Sequence, residues 1–172
     1  MARPRNRERR PPPPLTGATL DELALAYVAR FAASAAKVEQ YLARKLRERG
    51  WEGERPADPA AIVARFVELG YIDDAAWARA KSGGLLRRGY GTRRVDQTLG
   101  AAGIAETVRA EVRAGEGEAR RAAITLAARR RLGPWGERGG DPAARSKQIA
   151  AMLRAGHGFD AARAVVDAPS VA

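Results

Sequence analysis

The most concentrated chemistry in the 172-residue sequence lies in Arg87-Arg88-Gly89-Tyr90-Gly91-Thr92-Arg93-Arg94. No acidic residue stands between Asp74 and Asp96, while Arg79, Lys81, Arg87, Arg88, Arg93 and Arg94 are all basic. Guanidinium forks suit phosphates and carboxylates alike, so this chemistry is anion recognition. Gly89 and Gly91 permit a tight turn whose backbone can approach a partner closely, and Tyr90 supplies a flat amphipathic contact. A plainer alternative has the glycines ending one helix and starting the next, with Tyr90 packed inward. A second basic run, Arg129-Arg130-Arg131, either binds the same kind of partner or complements a helix C-terminus, where cations are favoured. Trp51, Trp77 and Trp135 are read as packing residues, with base stacking as the alternative.

Catalytic chemistry finds little material. The single histidine, His157, has no second histidine and no cysteine with which to share a metal. The absence of cysteine also excludes disulfides, thiolate zinc sites and thiol nucleophiles. Asp73-Asp74 follows a helix expected to end at Gly70 and precedes Trp77, a place that suits a helix cap better than a carboxylate pair. No phosphate loop, zinc-ligand spacing or nucleophile elbow is present. The expectation is no enzyme, no catalytic residue, no cofactor and no metal.

The elements that position the basic residues are helices. Ala, Leu, Arg and Glu dominate, aromatics make up 6%, and β-branched runs are absent, so an all-α fold is expected. Thr19 and Glu22 have capping-box spacing before a helix over about 20–32. Ser34 opens a second helix ending at Gly50, and Asp58-Pro59 a third stopped by Gly70. Asp73 caps a fourth, in which Gly83-Gly84 predicts a kink or frayed end. Thr92 caps a fifth ending at Gly103, Val108 and Val112 mark a sixth, and the seventh runs over about 116–132. A loop over 133–140 precedes an eighth helix from Asp141-Pro142, and Phe159-Asp160 opens a ninth.

The helix ends repeat. Leu46 to Gly50, Leu99 to Gly103 and Met152 to Gly156 each place a large apolar residue four before a glycine, at one constant interval. This favours three tandem three-helix units in an elongated, curved rod. The expected boundaries are a disordered basic, proline-rich arm over 1–18, repeats over 19–72, 73–114 and 115–168, and a tail over 169–172. The net charge of +11 calls for a polyanionic partner. The start of the chain lacks the apolar core of a secretory signal, and no stretch approaches the roughly 18 apolar residues of a membrane span. Membrane partners are therefore not expected, and the localisation expected is cytoplasmic.

The stretch Gly70-Tyr71-Ile72-Asp73-Asp74-Ala75-Ala76-Trp77-Ala78-Arg79, followed by Arg87 to Arg94 and by Leu99 to Ile104, resembles the RecX family of bacterial recombination regulators. Tyr41 to Leu46, Arg129 to Trp135 and Gly158-Phe159 extend the similarity to about residues 20–168. Ala102 replaces a usual lysine, Thr92 stands where proline is common, and 52–59 carry an insertion. The resemblance implies a rod lodged in the helical groove of the RecA recombinase filament on single-stranded DNA. There it would inhibit ATP hydrolysis, strand exchange and co-protease activity, and so regulate recombination, DNA repair and the SOS response. It also implies contact with single- and double-stranded DNA. The partner-binding residues expected are Arg79, Lys81, Arg87, Arg88, Tyr90, Arg93, Arg94, Arg129, Arg130 and Arg131, on a monomer. The alternative is a basic helical-repeat protein that binds nucleic acid without RecA specificity.

Overall fold

The computed structural model describes residues 12–136 and 141–169. Among them nine α-helices form, and extended pairing is limited to one bridge between Leu15 and Trp51. The chain divides into two compact units, 1–72 and 73–172. The all-α expectation holds.

The first unit packs α1 (Gly17–Arg30), α2 (Ala35–Arg49) and α3 (Pro59–Glu68) around Leu20, Val38, Leu42 and Phe66. Its entry differs from the expected one. Thr16 is the N-cap: its hydroxyl accepts from the Thr19 N–H while the Thr19 hydroxyl accepts from the Thr16 N–H. The box therefore sits one turn before the predicted Thr19–Glu22 pair, with a threonine doing what glutamate usually does.

The expected disordered arm over 1–18 is likewise structured from residue 12 onward; residues 1–11 lie outside the described residues. Leu15 is wholly buried in the first core. Its N–H donates to Gly50 O at 3.0 Å, and its carbonyl accepts from Glu52 N at 2.8 Å. The Arg49 Nε–H adds a bond to Pro13 O at 3.0 Å. Prolines favour extended backbone, which suits such a bridge, and the apolar side chain behind them secures it.

The second unit holds two clusters of buried side chains. One lies among α4 (Asp74–Arg87), α5 (Thr92–Ala101) and α6 (Glu106–Glu111), around Ala78, Leu85, Val95 and Leu99. The other lies among α7 (Glu116–Arg130), α8 (Pro142–Arg154) and α9 (Phe159–Val166), around Leu126, Ile149, Met152 and Val165. A single 3-10 turn, Gly133–Trp135, occupies the start of the predicted loop. Residues 137–140 of that loop lie outside the described residues. Asp58, Asp73 and Asp141 each cap their helix, accepting from the N–H three residues on.

Two expectations about helix interiors and ends change. Helix α4 passes through Gly83-Gly84 without interruption. Burial on either side explains this: the Ser82 hydroxyl is buried and donates to Val112 O, and Leu85 lies in the core. Tertiary packing of one face outweighs the propensity cost of two glycines, about 1 kcal/mol each. The cap of α5 is Gly91 rather than Thr92, which is the first helical residue.

The repeated helix ends give one turn twice. Ile104 N–H bonds to Leu99 O, and His157 N–H to Met152 O, each across a left-handed glycine, Gly103 or Gly156. After Leu46 the chain instead runs from Gly50 into the bridge with Leu15.

The turn after α4 is held by the end of α8. Gly91 N–H donates to Ala155 O at 2.9 Å and Arg93 N–H to Gly156 O at 3.1 Å. A Cβ on Gly91 would fall far inside contact distance of the Gly156 carbonyl and the His157 nitrogen. Buried His157 closes the junction, its Nε2–H donating to Gly89 O at 3.0 Å. Since a carbonyl can only accept, Nε2 carries the proton of the neutral ring. Burial lowers the pKa of His157 below its ordinary 6.5, and the bond to Gly89 opposes this only partly.

Two outcomes follow for stability. Gly91→Ala is expected to lower the stability of the second unit by about 2 kcal/mol or more, because backbone atoms on both sides resist displacement. Thermal unfolding followed by circular dichroism measures this; an unchanged melting temperature contradicts the close approach. Because the folded pKa of His157 is depressed, its stabilising effect is complete above the unfolded value and is lost as pH falls through the folded one. Chemical denaturation between roughly pH 7 and pH 5 should show stability declining in the parent and a flatter profile in His157→Gln, whose amide keeps the donor without titrating.

Candidate functional site

The basic residues are delivered by helix ends. Arg87 and Arg88 lie at the C-terminus of α4, Arg93 and Arg94 in the first turn of α5, and Arg129 to Arg131 at the end of α7. All seven are exposed. The Arg129 Nη1–H donates to Arg88 O at 2.9 Å, which ties the first residue of the second basic run to the end of α4. The side chain thereby completes a backbone acceptor that the helix itself leaves open. Arg88 bonds through Nε to Gly84 O at 3.2 Å and lays its guanidinium over the Tyr90 ring, 5.7 Å from the centroid.

Arg79 and Lys81 are not brought together. Two positions apart on a helix point about 200° apart around the axis. Arg79 is exposed, whereas Lys81 lies half-buried over the Trp77 ring at 5.9 Å. Arg130 and the left-handed Arg131 sit beyond Arg129 and, among the described residues, make no hydrogen bond or ion pair to the turn at 88–94.

Electrostatic pairing sorts the cations. Arg44, Lys45, Arg65, Arg109, Arg113 and Arg145 each meet a carboxylate. Asp167 grips Arg145 with both oxygens at 2.6 Å, and this pairing holds its carboxyl below the usual range. Among the described residues none of Arg79, Lys81, Arg87, Arg88, Arg93, Arg94, Arg129, Arg130 and Arg131 has a carboxylate partner. The second unit thus carries a set of cations that folding leaves uncompensated.

The glycines of the turn have a different use from the one first weighed. Their close approach is to the chain itself: a Cβ on Gly89 would stand 2.8 Å from the Leu126 nitrogen, and Gly91 faces Gly156. The N–H groups of Gly91 and Arg93 are spent on the carbonyls of α8's end. A ligand here meets guanidinium groups rather than a cradle of backbone donors. Tyr90 is half-buried and packs against both clusters of the second unit, so its ring is chiefly a wedge between two trios of helices.

Other singled-out residues are structural. Trp51, Trp77 and Trp135 are each partly buried against a core. Asp73 is spent on its cap. His157 is an internal strut, a role that no local pattern reveals, because its partner Gly89 is distant in sequence. Arg109 is likewise inconspicuous in the sequence: Glu106 three residues away is a visible helical partner, but Asp96 reaches it only through the packing of α5 on α6. Among the described residues no group of three acidic, histidine or cysteine side chains stands close enough to hold a metal ion. None of the described helices is long and apolar enough to cross a membrane.

No protein-family model matches the chain. The fold is similar to that in the crystal structure of RecX from Lactobacillus salivarius, with a TM-score of 0.68 over 87% of this chain and 93% of that one, at 17% identity. In sequence the chain is 33% identical over 157 residues to the regulatory protein RecX of Myxococcus xanthus (strain DK1622), covering 86% of this chain and 84% of that protein. That identity, over nearly the whole of both chains, places the protein in the RecX family of regulatory proteins.

Proposed function

We propose that the chain regulates the RecA recombinase, seating as a monomer in the groove of the RecA filament on single-stranded DNA. By occupancy it inhibits ATP hydrolysis, strand exchange and co-protease activity, and through them recombination and the SOS response. One observation carries this reading: a member of a regulatory family presents, on its second unit, a set of exposed arginines that have no carboxylate partner among the described residues. Exposed ion pairs contribute little to folding, so such a concentration of charge is better explained by a partner than by stability. The partner surface is acidic protein, DNA phosphate, or both.

A basic protein that binds nucleic acid without RecA specificity differs in its salt response. Binding by charge alone falls steeply as salt displaces the advantage of counterion release. Seating in a protein groove retains packed apolar contacts and falls less. Capture by RecA filaments on single-stranded DNA, compared with naked single-stranded DNA at matched salt, separates the two readings.

The arginines supply the decisive variants. Arg87→Ala with Arg88→Ala, and separately Arg93→Ala with Arg94→Ala, remove charge while keeping the Cβ atoms, including that of Arg94 against Gly156. Each lost charge-assisted contact should cost about 1–3 kcal/mol of binding. Inhibition of RecA-driven ATP hydrolysis on single-stranded DNA should weaken correspondingly, with the melting temperature unchanged. Parent-like inhibition by both double variants would remove this turn from the contact surface.

A further inference from the structure

A cleft of about 300 Å3 opens in the second unit between α5 and the end of α6. Its floor is apolar, with Val95 and Leu99 buried beneath it and Val112 beside them. Its walls carry three guanidinium groups, those of Arg93, Arg109 and Arg113.

Arg109 is a placed cation. Its Nη2 pairs with Glu106, and its Nε lies 3.4 Å from Asp96 Oδ1. Gly100 makes its seat, since a Cβ there would fall inside contact distance of Arg109 Nη1. Even so, among the described residues the buried Nε–H finds no hydrogen-bond acceptor, and a buried donor left in this state is costly. Arg113 reaches Glu106 only at 3.6 Å, with 62% of its side chain exposed. Arg93 has no carboxylate partner among the described residues. Asp96 in the lining and the nearby Glu106 are thus already committed to Arg109 and Arg113, and the cationic side chains remain in excess.

We infer that this cleft receives a carboxylate side chain from an acidic, partly apolar segment of a protein partner. The inference rests on reading the second unit as partner-binding, and it names the kind of surface met there. A nucleic-acid backbone fits less well. Asp96, 48% exposed, lines the cleft, and Glu106, 64% exposed, pairs with the lining residues Arg109 and Arg113, so a ribbon of phosphates laid along this surface would meet carboxylates as well as cations. A single carboxylate can sit among the guanidinium groups while its methylenes cover Val95, Leu99 and Val112. Apolar floor and charged wall together form the kind of desolvated anchor site that dominates protein interfaces.

The test uses the full-length chain and two probes of equal charge, an alternating glutamate–leucine peptide and a single-stranded oligonucleotide. Amide resonances of Val95, Leu99, Val112 and Arg113 are followed by nuclear magnetic resonance. The peptide is expected to shift them, whereas the oligonucleotide acts at Arg87, Arg88 and Arg129, which do not line the cleft, and leaves the cleft floor unmoved. Ala114→Trp fills the cleft without altering charge, and Arg113→Glu reverses one wall without altering its volume greatly. Each variant should weaken the peptide by about tenfold or more and leave the oligonucleotide within about twofold. A peptide that leaves the floor unshifted, an oligonucleotide that shifts it equally, or variants that bind the peptide as the parent does would each overturn the inference. Because neither probe contains RecA, a parent that ignores RecA filaments while keeping the peptide response overturns the RecA reading alone.

Discussion

Backbone meets backbone at Gly91 and Gly156, and the arrangement of the second unit follows from that approach. Neither residue has room for a Cβ, and the gap between them is bridged by two hydrogen bonds from the start of α5 to the end of α8. Helix ends leave amides and carbonyls without intrahelical partners, and here the donors of one helix satisfy the acceptors of another. His157 seals the junction from inside by donating to Gly89 O. Tyr90, between the two glycines, wedges against both clusters of buried side chains. The arginines on either side are therefore fixed in backbone position even though their side chains are exposed.

This division between a fixed backbone and free guanidinium groups is what a recognition surface needs. Preorganised anchors lose less freedom on binding than groups carried by a mobile loop. The cations used for folding are elsewhere and are visibly paired, as in the two-oxygen grip of Asp167 on Arg145. The cations of the turn meet helix carbonyls, an aromatic face or solvent. Membership of the RecX family of regulatory proteins and the chemistry of this surface are compatible, since a regulator needs an interface.

The first unit shows how a boundary can move without changing the architecture. A run of prolines ahead of Leu15 reads as an extended arm, and extended it is, but as half of a bridge beside Trp51. The leucine contributes to the core what the prolines cannot, and burying such a side chain is worth about 2 kcal/mol. The hydroxyl exchange between Thr16 and Thr19 then starts α1 one turn ahead of the position that a glutamate-based box suggests.

Local rules alone determined the helical class and most helix boundaries. Aspartate before proline, Asp73 shortly after the helix that stops near Gly70, and an apolar residue four before a glycine all act within one or two turns, and the helices begin and end there. Composition and charge likewise gave a strongly basic, helix-favouring chain, and the motif around Gly70 to Arg94 pointed to the family. Tertiary structure decided what the same residues do once distant segments meet. Gly83-Gly84 stays helical because Ser82 and Leu85 are buried beside it. Gly89 and Gly91 make room for Leu126 and Gly156, and His157 finds a carbonyl in a different trio of helices. Arg109 takes Asp96 as a neighbour only because α6 packs on α5. Each of these depends on contacts between positions far apart in the chain, and no periodicity or capping rule reaches that far.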